Sequence, residues 1–452
     1  MVIRADSHCQ ALVDDSNMEN LRVPDSFKNI EKSEACMGKT IIEKILQKHS
    51  SEPVKVGSII WIGIDVRTAR DFGGASVVKN FVANYPGQKV KDLDRTFFTF
   101  DCVAPANNIP YANNQHACRK FAREQGLRVM DVDMGIGSHL NIEHGQAVPG
   151  ATVVGTDSHL NILGAVGAFG QGMGDQDIAF TFKTGRTWFE VPPSMKVIVR
   201  GTYSYPVTAK DLTLKMLEVF GSNGGLNYSM EYVGEAIDAL DLPGRITLAS
   251  MATEMGAIIS FISPSKSVID FLSRRAGKEL EPLVADPDAN YAKTVEVTID
   301  GLEPLIACPH SPSNIKKVRD VAGKHIDSVF IGSCTNGRFE DFQMVAKQIQ
   351  NKKVASHVMA KVVPATKEVY AEMLAKGVLK TLFDAGFIIS HPGCGGCASG
   401  QLGMTGKDEV QISTSNRNFK GKQGDGETYL ASPLVAAASA VAGVITDPRD
   451  LR

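Results

Sequence analysis

Three cysteines in two glycine-rich segments are the residues of this chain best suited to chemistry. Cys334 lies in residues 332–338 (GSCTNGR), whereas Cys394 and Cys397 lie in residues 391–397 (HPGCGGC). Thiolates are soft ligands that suit iron, and an iron–sulfur cube is normally held by four of them. Three thiolates leave one iron without a protein ligand, and an open metal position is typical of a catalytic site. We therefore expect an iron–sulfur cluster at these three cysteines.

The glycines around the cysteines favour a cluster over two alternatives. They let the backbone turn tightly around a bulky group and point N–H groups at its sulfurs. A CxxC pair can also form a zinc knuckle or a redox disulfide. A zinc knuckle requires a second ligand pair at similar spacing, and none follows Cys397. A thioredoxin-like motif opens a helix, whereas this pair is embedded in glycine.

Composition excludes several other classes of protein. The chain has 452 residues, which predicts two to four domains at about 100–200 residues each. Its net charge is −2 with 22% charged residues and no basic stripe, so we expect no nucleic-acid partner. No run approaches the ~20 apolar residues of a membrane span. Eight cysteines are too sparse for a disulfide scaffold, which favours a reducing cytoplasm or an organelle matrix.

The first 36 residues differ from the rest of the chain. Residues 1–36 are polar, mix both charge signs and lack periodicity. Their acidic residues argue against a transit peptide, and they have no apolar core typical of a secretory signal. We predict a polar N-terminal extension.

Short apolar runs alternate with helical patterns along the remaining sequence. A strand-like run at residues 58–66 precedes a polar loop at 67–74, and further runs precede residues 155–159, the Cys334 segment and the Cys394 segment. Helical spacing follows at Phe342, Val345, Ala346 and Ile349, and a second helix is predicted after Thr366. This alternation predicts an α/β protein with mostly parallel sheets. In such sheets the site lies beyond the carboxyl ends of the strands, where these loops fall.

Two weaker signals divide the chain into domains. Prolines at positions 192, 193 and 206 interrupt a strand-like stretch, and residues 263–314 are rich in acidic residues and proline. We predict a first α/β domain at residues 37–192, a second at 193–300 and a third at 301–452, which contains the three cysteines.

Four motifs in one order resemble the aconitase superfamily. They are residues 155–159 (GTDSH), the Cys334 segment, the Cys394–Cys397 segment and residues 415–419 (SNRNF). The resemblance runs from about Met37 to the C-terminus and is closest to the large subunits of 3-isopropylmalate dehydratase and homoaconitase. It implies three α/β/α domains around a [4Fe–4S] cluster. It also implies a dehydration and rehydration that move a hydroxyl between adjacent carbons of a malate-like acid, as in leucine biosynthesis.

The resemblance also implies roles for individual residues. Cys334, Cys394 and Cys397 would hold the cluster. Proton transfer would fall to Asp157 and His159 as one pair, to His139 beside Glu143 as another, and to Glu231, Asp101 and Cys102. Substrate contacts would come from Ser158, Asn416, Arg417, Lys422 and Asp71. Arginine suits this task because its planar guanidinium binds a carboxylate through two hydrogen bonds.

Several positions depart from the family pattern. Asp101-Cys102 stands where the family has Asp-His, and a thiol cannot relay a proton between two nitrogens as imidazole does. Cys102 could serve as an acid, as a fourth sulfur near the cluster, or as a mark of altered chemistry. Lys422 replaces a second arginine, and Arg70-Asp71 replaces the usual His-Asp pair. Intact cysteine segments beside altered substrate contacts favour a paralogue with a changed substrate over an inactive scaffold.

The resemblance predicts a partner chain as well. Single-chain aconitases close the site with a swivelling domain, which we expect to be absent here and supplied by a small subunit in a heterodimer or heterotetramer. We expect the chain alone to be inactive on its dicarboxylic or tricarboxylic substrate. Alternatives remain open: a paralogue acting on homoaconitate, 2,3-dimethylmalate or a methylmalate-type acid, or, in another class, an apo-form RNA-binding protein or an inactive structural subunit.

Overall fold

A computed structural model describes residues 38–397 and 402–451, so the predicted extension at residues 1–36 lies outside the described residues. The strands in this part of the chain are β1 Ile59–Gly63, β2 Val66–Arg70, β3 Thr96–Thr99, β4 Arg128–Met130, β5 Thr152–Gly155, β6 Phe169–Gly172, β7 Arg186–Glu190, β8 Ser194–Arg200, β9 Ser229–Val233, β10 Ile259–Ile262, β11 Lys293–Thr298, β12 Leu305–Ala307, β13 Ile315–Lys317, β14 Ser328–Gly332, β15 Met359–Val363, β16 Ile388–Ile389, β17 Val410–Ser413 and β18 Glu427–Ala431.

Helices alternate with these strands. They are α1 Ile41–His49, α2 Gly74–Asn84, α3 Ile109–Gln125, α4 Gly137–Glu143, α5 Asp175–Thr184, α6 Ala209–Phe220, α7 Glu235–Asp238, α8 Leu242–Ser250, α9 Lys266–Ala276, α10 Phe339–Gln348, α11 Lys367–Ala375, α12 Val378–Ala385 and α13 Pro433–Ala442. Short 3-10 turns occur at Leu93–Arg95, Leu160–Val166, Thr253–Met255, Val318–Val321, Gly395–Cys397 and Pro448–Asp450. Within the described residues, each helix is too short or too polar to span a membrane.

Three larger sheets organise these elements. The first has the order β4-β3-β2-β5-β6 and is parallel throughout. The second, β10-β9-β8-β11, is also parallel. The third, β13-β12-β18-β17-β14-β15-β16, is parallel from β18 to β16 and antiparallel where β12 meets its neighbours. The prediction of an α/β protein with mostly parallel sheets is confirmed. The strands of each sheet fall within one predicted domain range, whose boundaries remain predictions.

The run at residues 58–66 differs from its prediction as one strand. It forms β1, which pairs antiparallel with β7 in a separate two-stranded sheet, and only its last residue enters β2. β2 continues through Arg67 to Arg70, which the sequence places in a loop. Arg67 can lie inside the fold because its guanidinium donates to Thr96 Oγ1 at 3.0 Å and to the Ile64 carbonyl at 2.7 Å. Buried polar groups are tolerated when they are paired in this way.

The carboxyl ends of the first and third sheets meet each other. The Cys394 N–H donates to the Asp101 carbonyl at 2.8 Å, and the Ile136 N–H donates to the Ala365 carbonyl at 2.8 Å. Loops that follow strands of one sheet are therefore hydrogen-bonded to loops that follow strands of the other. This contact brings residues more than 200 positions apart in sequence to one place.

Candidate functional site

A cavity of about 340 Å³ lies where the two sheets meet. Its lining combines four cysteines, three cationic side chains and the motif at residues 155–159. The lining residues are Arg70, Phe72, Cys102, Tyr111, Ile136, Thr156, Asp157, Ser158, His159, Ser333, Cys334, Cys394, Cys397, Arg417 and Lys422. The cavity therefore contains the three predicted cluster ligands and most of the predicted substrate contacts.

Cys334, Cys394 and Cys397 fit an iron–sulfur cluster. All three face one cavity, are 5–7% exposed, and are free thiols rather than disulfides. Their loops follow β14 and β16 at the carboxyl edge of the third sheet. Gly395 has φ +57°, and a Cβ atom there would lie 2.7 Å from the Phe330 ring, so the loop requires glycine. A set of three soft donors in one buried cavity is the ligand chemistry that iron–sulfur clusters require.

Arg70 joins the two halves of the site. Its Nε donates to Asp101 at 2.7 Å, one terminal nitrogen donates to Asp157 at 2.8 Å, and the other lies 2.6 Å from the Cys394 sulfur. The guanidinium is almost fully buried, with an 11% exposed side chain. Its fork geometry satisfies several acceptors at once, which an ammonium could not do with the same spacing.

A second chain of contacts connects the GTDSH motif to Arg417. His159 Nε2 lies 2.9 Å from Glu254, and the same carboxylate accepts from Arg417 Nε at 2.8 Å and 3.0 Å. Glu254 belongs to the 3-10 turn Thr253–Met255 that follows α8. Since Glu254 engages Arg417 through Nε, the terminal nitrogens of the guanidinium remain able to bind a carboxylate.

The buried acids of the site differ in their ionisation. Burial by itself raises the pKa of Asp157, but Arg70 and His159 outweigh burial and bring the pKa below its usual value. Burial likewise opposes the ionisation of Glu254, whose pKa is nevertheless lowered by His159 and Arg417. Burial raises the pKa of Asp101 to about 6 despite its contact with Arg70. Asp157 and Glu254 are therefore carboxylates at neutral pH.

Six predicted site residues do not line the cavity. Asp71 accepts from the N–H groups of Asp101, Cys102 and Val103, so it fixes the loop after β3. Asp101 lies beneath the cavity wall, between Arg70 and the Gly137 N–H, which is 2.8 Å from Oδ2. Asn416 donates to the Ser250 carbonyl at 3.0 Å, and its Oδ1 lies 3.7 Å from the Cys334 sulfur.

His139, Glu143 and Glu231 are the other three of these residues, and Glu143 accepts from the Thr366 hydroxyl at 2.8 Å. His139 Nε2 lies 2.9 Å from the Cys334 carbonyl, and burial, with help from Arg338, lowers its pKa to about 3. The imidazole is therefore neutral and donates to the backbone of a cysteine loop. Glu231 lies on β9 and accepts from the Ile41 N–H at 2.7 Å and the Tyr291 hydroxyl at 2.6 Å. The structure thus places Glu231 at the start of α1, away from the other predicted site residues.

Sequence reasoning did not assign a role to four residues of the site. Arg70, Phe72 and Tyr111 line the cavity, and Glu254 orients Arg417. Arg70 and Phe72 lie in the loop that departs from the family pattern, and this departure was the available signal. Glu254 has no local signal, because its partners lie 95 and 163 positions away in sequence.

The fold is of the α/β class and its three-cysteine cavity fits an iron–sulfur cluster, and comparison with known proteins specifies the family. The model of the aconitase family (aconitate hydratase) matches residues 43–324 and 314–443. The chain therefore belongs to the aconitase family.

Three relatives illustrate this membership. The probable 3-isopropylmalate dehydratase large subunit of Methanothermobacter thermautotrophicus is 40% identical over 92% of this chain and 100% of its own length. The homoaconitase large subunit of Thermus thermophilus is 41% identical over 92% of this chain and 98% of its own. The holo-form of Thermococcus kodakaraensis aconitase X, at 12% identity and a TM-score of 0.50, covers 88% of this chain and 94% of its own and supports the fold alone.

Proposed function

We propose that this chain is the cluster-bearing large subunit of a hydro-lyase that isomerises a malate-type 2-hydroxy acid, with 3-isopropylmalate as its substrate. One observation carries the proposal. Three cysteines, two cationic side chains and an Asp–Ser–His motif line the same cavity between the two sheets. The relatives named as 3-isopropylmalate dehydratase and homoaconitase large subunits support the same class of reaction.

Cys334, Cys394 and Cys397 would hold a [4Fe–4S] cluster. When bound, such a cluster supplies a Lewis acid that weakens the bond between carbon and the departing hydroxyl. The chain contributes the surroundings that this chemistry needs. Arg70 Nη2 donates to the Cys394 sulfur at 2.6 Å, and the His139 imidazole fixes the backbone of Cys334. Hydrogen bonds of this kind orient ligands and tune the group that they hold.

Arg417 and Lys422 bind the substrate carboxylates. Arg417 is held by Glu254 through Nε, so its position is set before substrate arrives. Lys422 supplies a second charge to the same cavity. Ser158 also lines the cavity, and its hydroxyl donates a further hydrogen bond to substrate. Preorganised donors need no reorientation as charge develops on the substrate.

Asp157 and His159 move protons. Asp157 is ionised at neutral pH because Arg70 and His159 overcome the effect of burial on its pKa. The backbone N–H of His159 donates to Asp157 Oδ1 at 2.9 Å, and its imidazole Nε2 lies 2.9 Å from Glu254. A carboxylate and an imidazole beside a bound 2-hydroxy acid can take and return the proton next to its carboxylate.

The cavity favours a dicarboxylate with an apolar branch. Among the described residues that line the cavity, Arg70 pairs with both Asp101 and Asp157, which leaves Arg417 and Lys422 as the cations for substrate. Phe72, Tyr111 and Ile136 supply an apolar wall in the same cavity. Two cations and an apolar wall match the two carboxylates and the isopropyl group of 3-isopropylmalate. A tricarboxylate such as homoaconitate would require a further cation from another chain.

A small subunit completes the enzyme. The relatives are named as large subunits, which supports a partner that closes the cavity and contacts the substrate from the other side. In this reading the enzyme serves leucine biosynthesis. The relatives named as enzyme subunits give no support to the RNA-binding alternative.

The proposal is tested by anaerobic purification of the chain together with the small-subunit protein encoded nearest to it. Formation of the unsaturated acid from 3-isopropylmalate is followed by ultraviolet absorbance, and iron and sulfide are counted in the same sample. Turnover of 3-isopropylmalate, and slower turnover of homoaconitate, is the expected result. An intact cluster without turnover of 3-isopropylmalate would overturn the substrate assignment, and a chain without iron would overturn the reaction class.

A further inference from the structure

Cys102 places a fourth sulfur at the edge of the cluster site. Its Sγ lies within 4.8 Å of Cys394 Sγ and 3.5 Å from Asp101 Oδ1. The residue is only 5% exposed, yet it lines the same cavity as the three cysteines of the cluster site. The cavity therefore contains four thiols, which is the number that normally holds an iron–sulfur cube.

The backbone fixes Cys102 at this place. Its N–H donates to Asp71 Oδ1 at 3.0 Å, and the next N–H, of Val103, donates to Asp71 Oδ2 at 3.0 Å. The preceding carbonyl, of Asp101, accepts from the Cys394 N–H at 2.8 Å. The segment that contains Cys102 is therefore hydrogen-bonded directly to the loop that contains Cys394. The backbone on both sides of Cys102 is therefore anchored next to Cys394.

The chemistry of the thiol suits coordination more than proton transfer. Thiolate is a stronger ligand for iron than the imidazole that the family pattern has here, and it has no second atom through which to relay a proton. Asp101 offers an acceptor for the thiol proton at 3.5 Å. Coordination requires only that the S–H bond breaks, that its proton passes to this carboxylate, and that a sulfur–iron bond forms.

We infer that Cys102 is a displaceable fourth ligand, which coordinates the iron left open by Cys334, Cys394 and Cys397 while no substrate is bound. The inference rests on the cluster of the proposed function. Substrate binding exchanges the Cys102 sulfur for a substrate oxygen, and the thiolate regains its proton from Asp101. In the resting protein this ligand retains the iron that a three-cysteine site would lose on oxidation.

The test measures iron retention rather than activity. The full chain is purified anaerobically, its cluster is reconstituted, and it is oxidised with ferricyanide. Iron per chain and the paramagnetic signal of a three-iron cluster are then recorded. Wild type is compared with Cys102→Ala, with Cys102→His, and with Cys118→Ala as a control. Cys118 is also a fully buried free cysteine, but it lies in the apolar core of the first domain rather than in the cavity.

We expect wild type and Cys118→Ala to keep their iron, whereas both Cys102 variants lose about one iron in four and gain the three-iron signal. Mössbauer spectra of wild type provide a second measurement that needs no variant. All four irons have sulfur-only coordination without substrate, and one changes when 3-isopropylmalate is added.

Three results would overturn the inference, and they differ in what they say about the proposed function. Conversion of wild type to the three-iron form as readily as Cys102→Ala would exclude Cys102 as a ligand while leaving the cluster and the hydro-lyase assignment intact. Failure of every variant to take up iron would exclude both. A Mössbauer spectrum of substrate-free wild type in which one iron has a ligand other than sulfur would also exclude Cys102 as a ligand.

Discussion

At the scale of single residues, the site depends on buried charges that neutralise each other. Arg70 lies between two carboxylates and a cysteine sulfur, and Glu254 lies between His159 and Arg417. Each group is acceptable in the interior only because its partners are present. Removing one partner of a buried ion pair costs more than the pair contributes, since it leaves an uncompensated charge.

Replacement of Arg70 by leucine should therefore destabilise the fold strongly. We expect Arg70→Leu to lower the free energy of unfolding by about 3–5 kcal/mol, because Asp101 and Asp157 lose their buried partner. The measurement is urea unfolding followed by the fluorescence of Trp61 and Trp188, which lie on β1 and β7.

Arg119→Leu is the matched control for this prediction. Arg119 pairs with Asp131 through two hydrogen bonds of 2.5 Å and 2.8 Å, but the two side chains are 30% and 38% exposed. We expect a loss below about 1 kcal/mol, as for other exposed pairs. Equal losses in the free energy of unfolding for the two variants would show that the buried Arg70 contacts stabilise the protein no more than an exposed pair does.

At the scale of elements, the conformation of the cysteine loop after β16 depends on close packing at Gly395 as well as on Cys394 and Cys397. Gly395 combines a left-handed φ with contact to the Phe330 ring, and both features exclude a side chain. We expect Gly395→Ala to retain the fold but to lower iron per chain by about half or more, because overpacking costs about 1–3 kcal/mol at the loop. Iron and sulfide analysis of the reconstituted protein measures this effect.

Gly377→Ala separates steric conflict from backbone strain. Gly377 has φ +75°, and no neighbouring atom lies within 4 Å of the Cβ position, so alanine there meets strain alone. Its iron content should match that of wild type. If both variants lost iron equally, a general effect of destabilisation would replace the steric explanation.

The start of α10 makes stability depend on pH. Asp341 accepts from the Arg338 N–H and from the Asn336 amide, and burial raises its pKa from 3.8 to about 7. A raised pKa means that the folded state binds the proton more tightly than the unfolded state. Stability is therefore lost as pH rises from about 4 to about 7, and the loss is complete above that range.

Asp341→Asn should remove this dependence, because the amide keeps an acceptor oxygen and cannot ionise. We compare the free energy of unfolding of the variant with that of wild type at about pH 5 and at about pH 8. We expect the difference to shift in favour of the variant by a few kcal/mol at the higher pH, which is on the order of the pKa shift. Urea midpoints from circular dichroism at the two pH values measure it. A constant difference between the two proteins would contradict the raised pKa.

These elements also show what the sequence could and could not predict. The helix with Phe342 and Val345, the helix after Thr366 and the cysteine loops were predicted, because periodicity, caps and glycines are local signals. The strand β2 was not predicted, because an arginine is rarely buried and the hydrogen bonds of Arg67 to Thr96 and Ile64 are visible only in the structure. Arg70 and Glu254 were missed as site residues for the same reason. Arg70 and Cys394 are 324 positions apart, and no local pattern records that contact.

At the scale of the whole molecule, the site lies at the junction of two sheets rather than within one domain. The carboxyl ends of β2, β3 and β5 and the loops after them supply Arg70, Cys102 and the GTDSH motif, whereas loops after β14, β16 and β17 supply the other cysteines and Arg417. Substrate would therefore contact both halves at once.

Phe72 lines this cavity although the residue is 72% exposed, and an exposed aromatic at a cavity is a candidate contact for a partner chain.

Phe72 should become buried when the small subunit binds. We expect Phe72→Asp to weaken association with the small subunit at least about tenfold, since burial of a charge replaces burial of an aromatic ring. Phe383→Asp is the matched control, because Phe383 is 71% exposed but lies on α12, outside the cavity lining. Both variants should keep their iron and their unfolding midpoints, so a change in the dissociation constant, measured by anaerobic titration, would report the interface alone. Equal weakening by both aspartates would assign the effect to surface charge, and no weakening by either would place the small subunit on another face of the molecule.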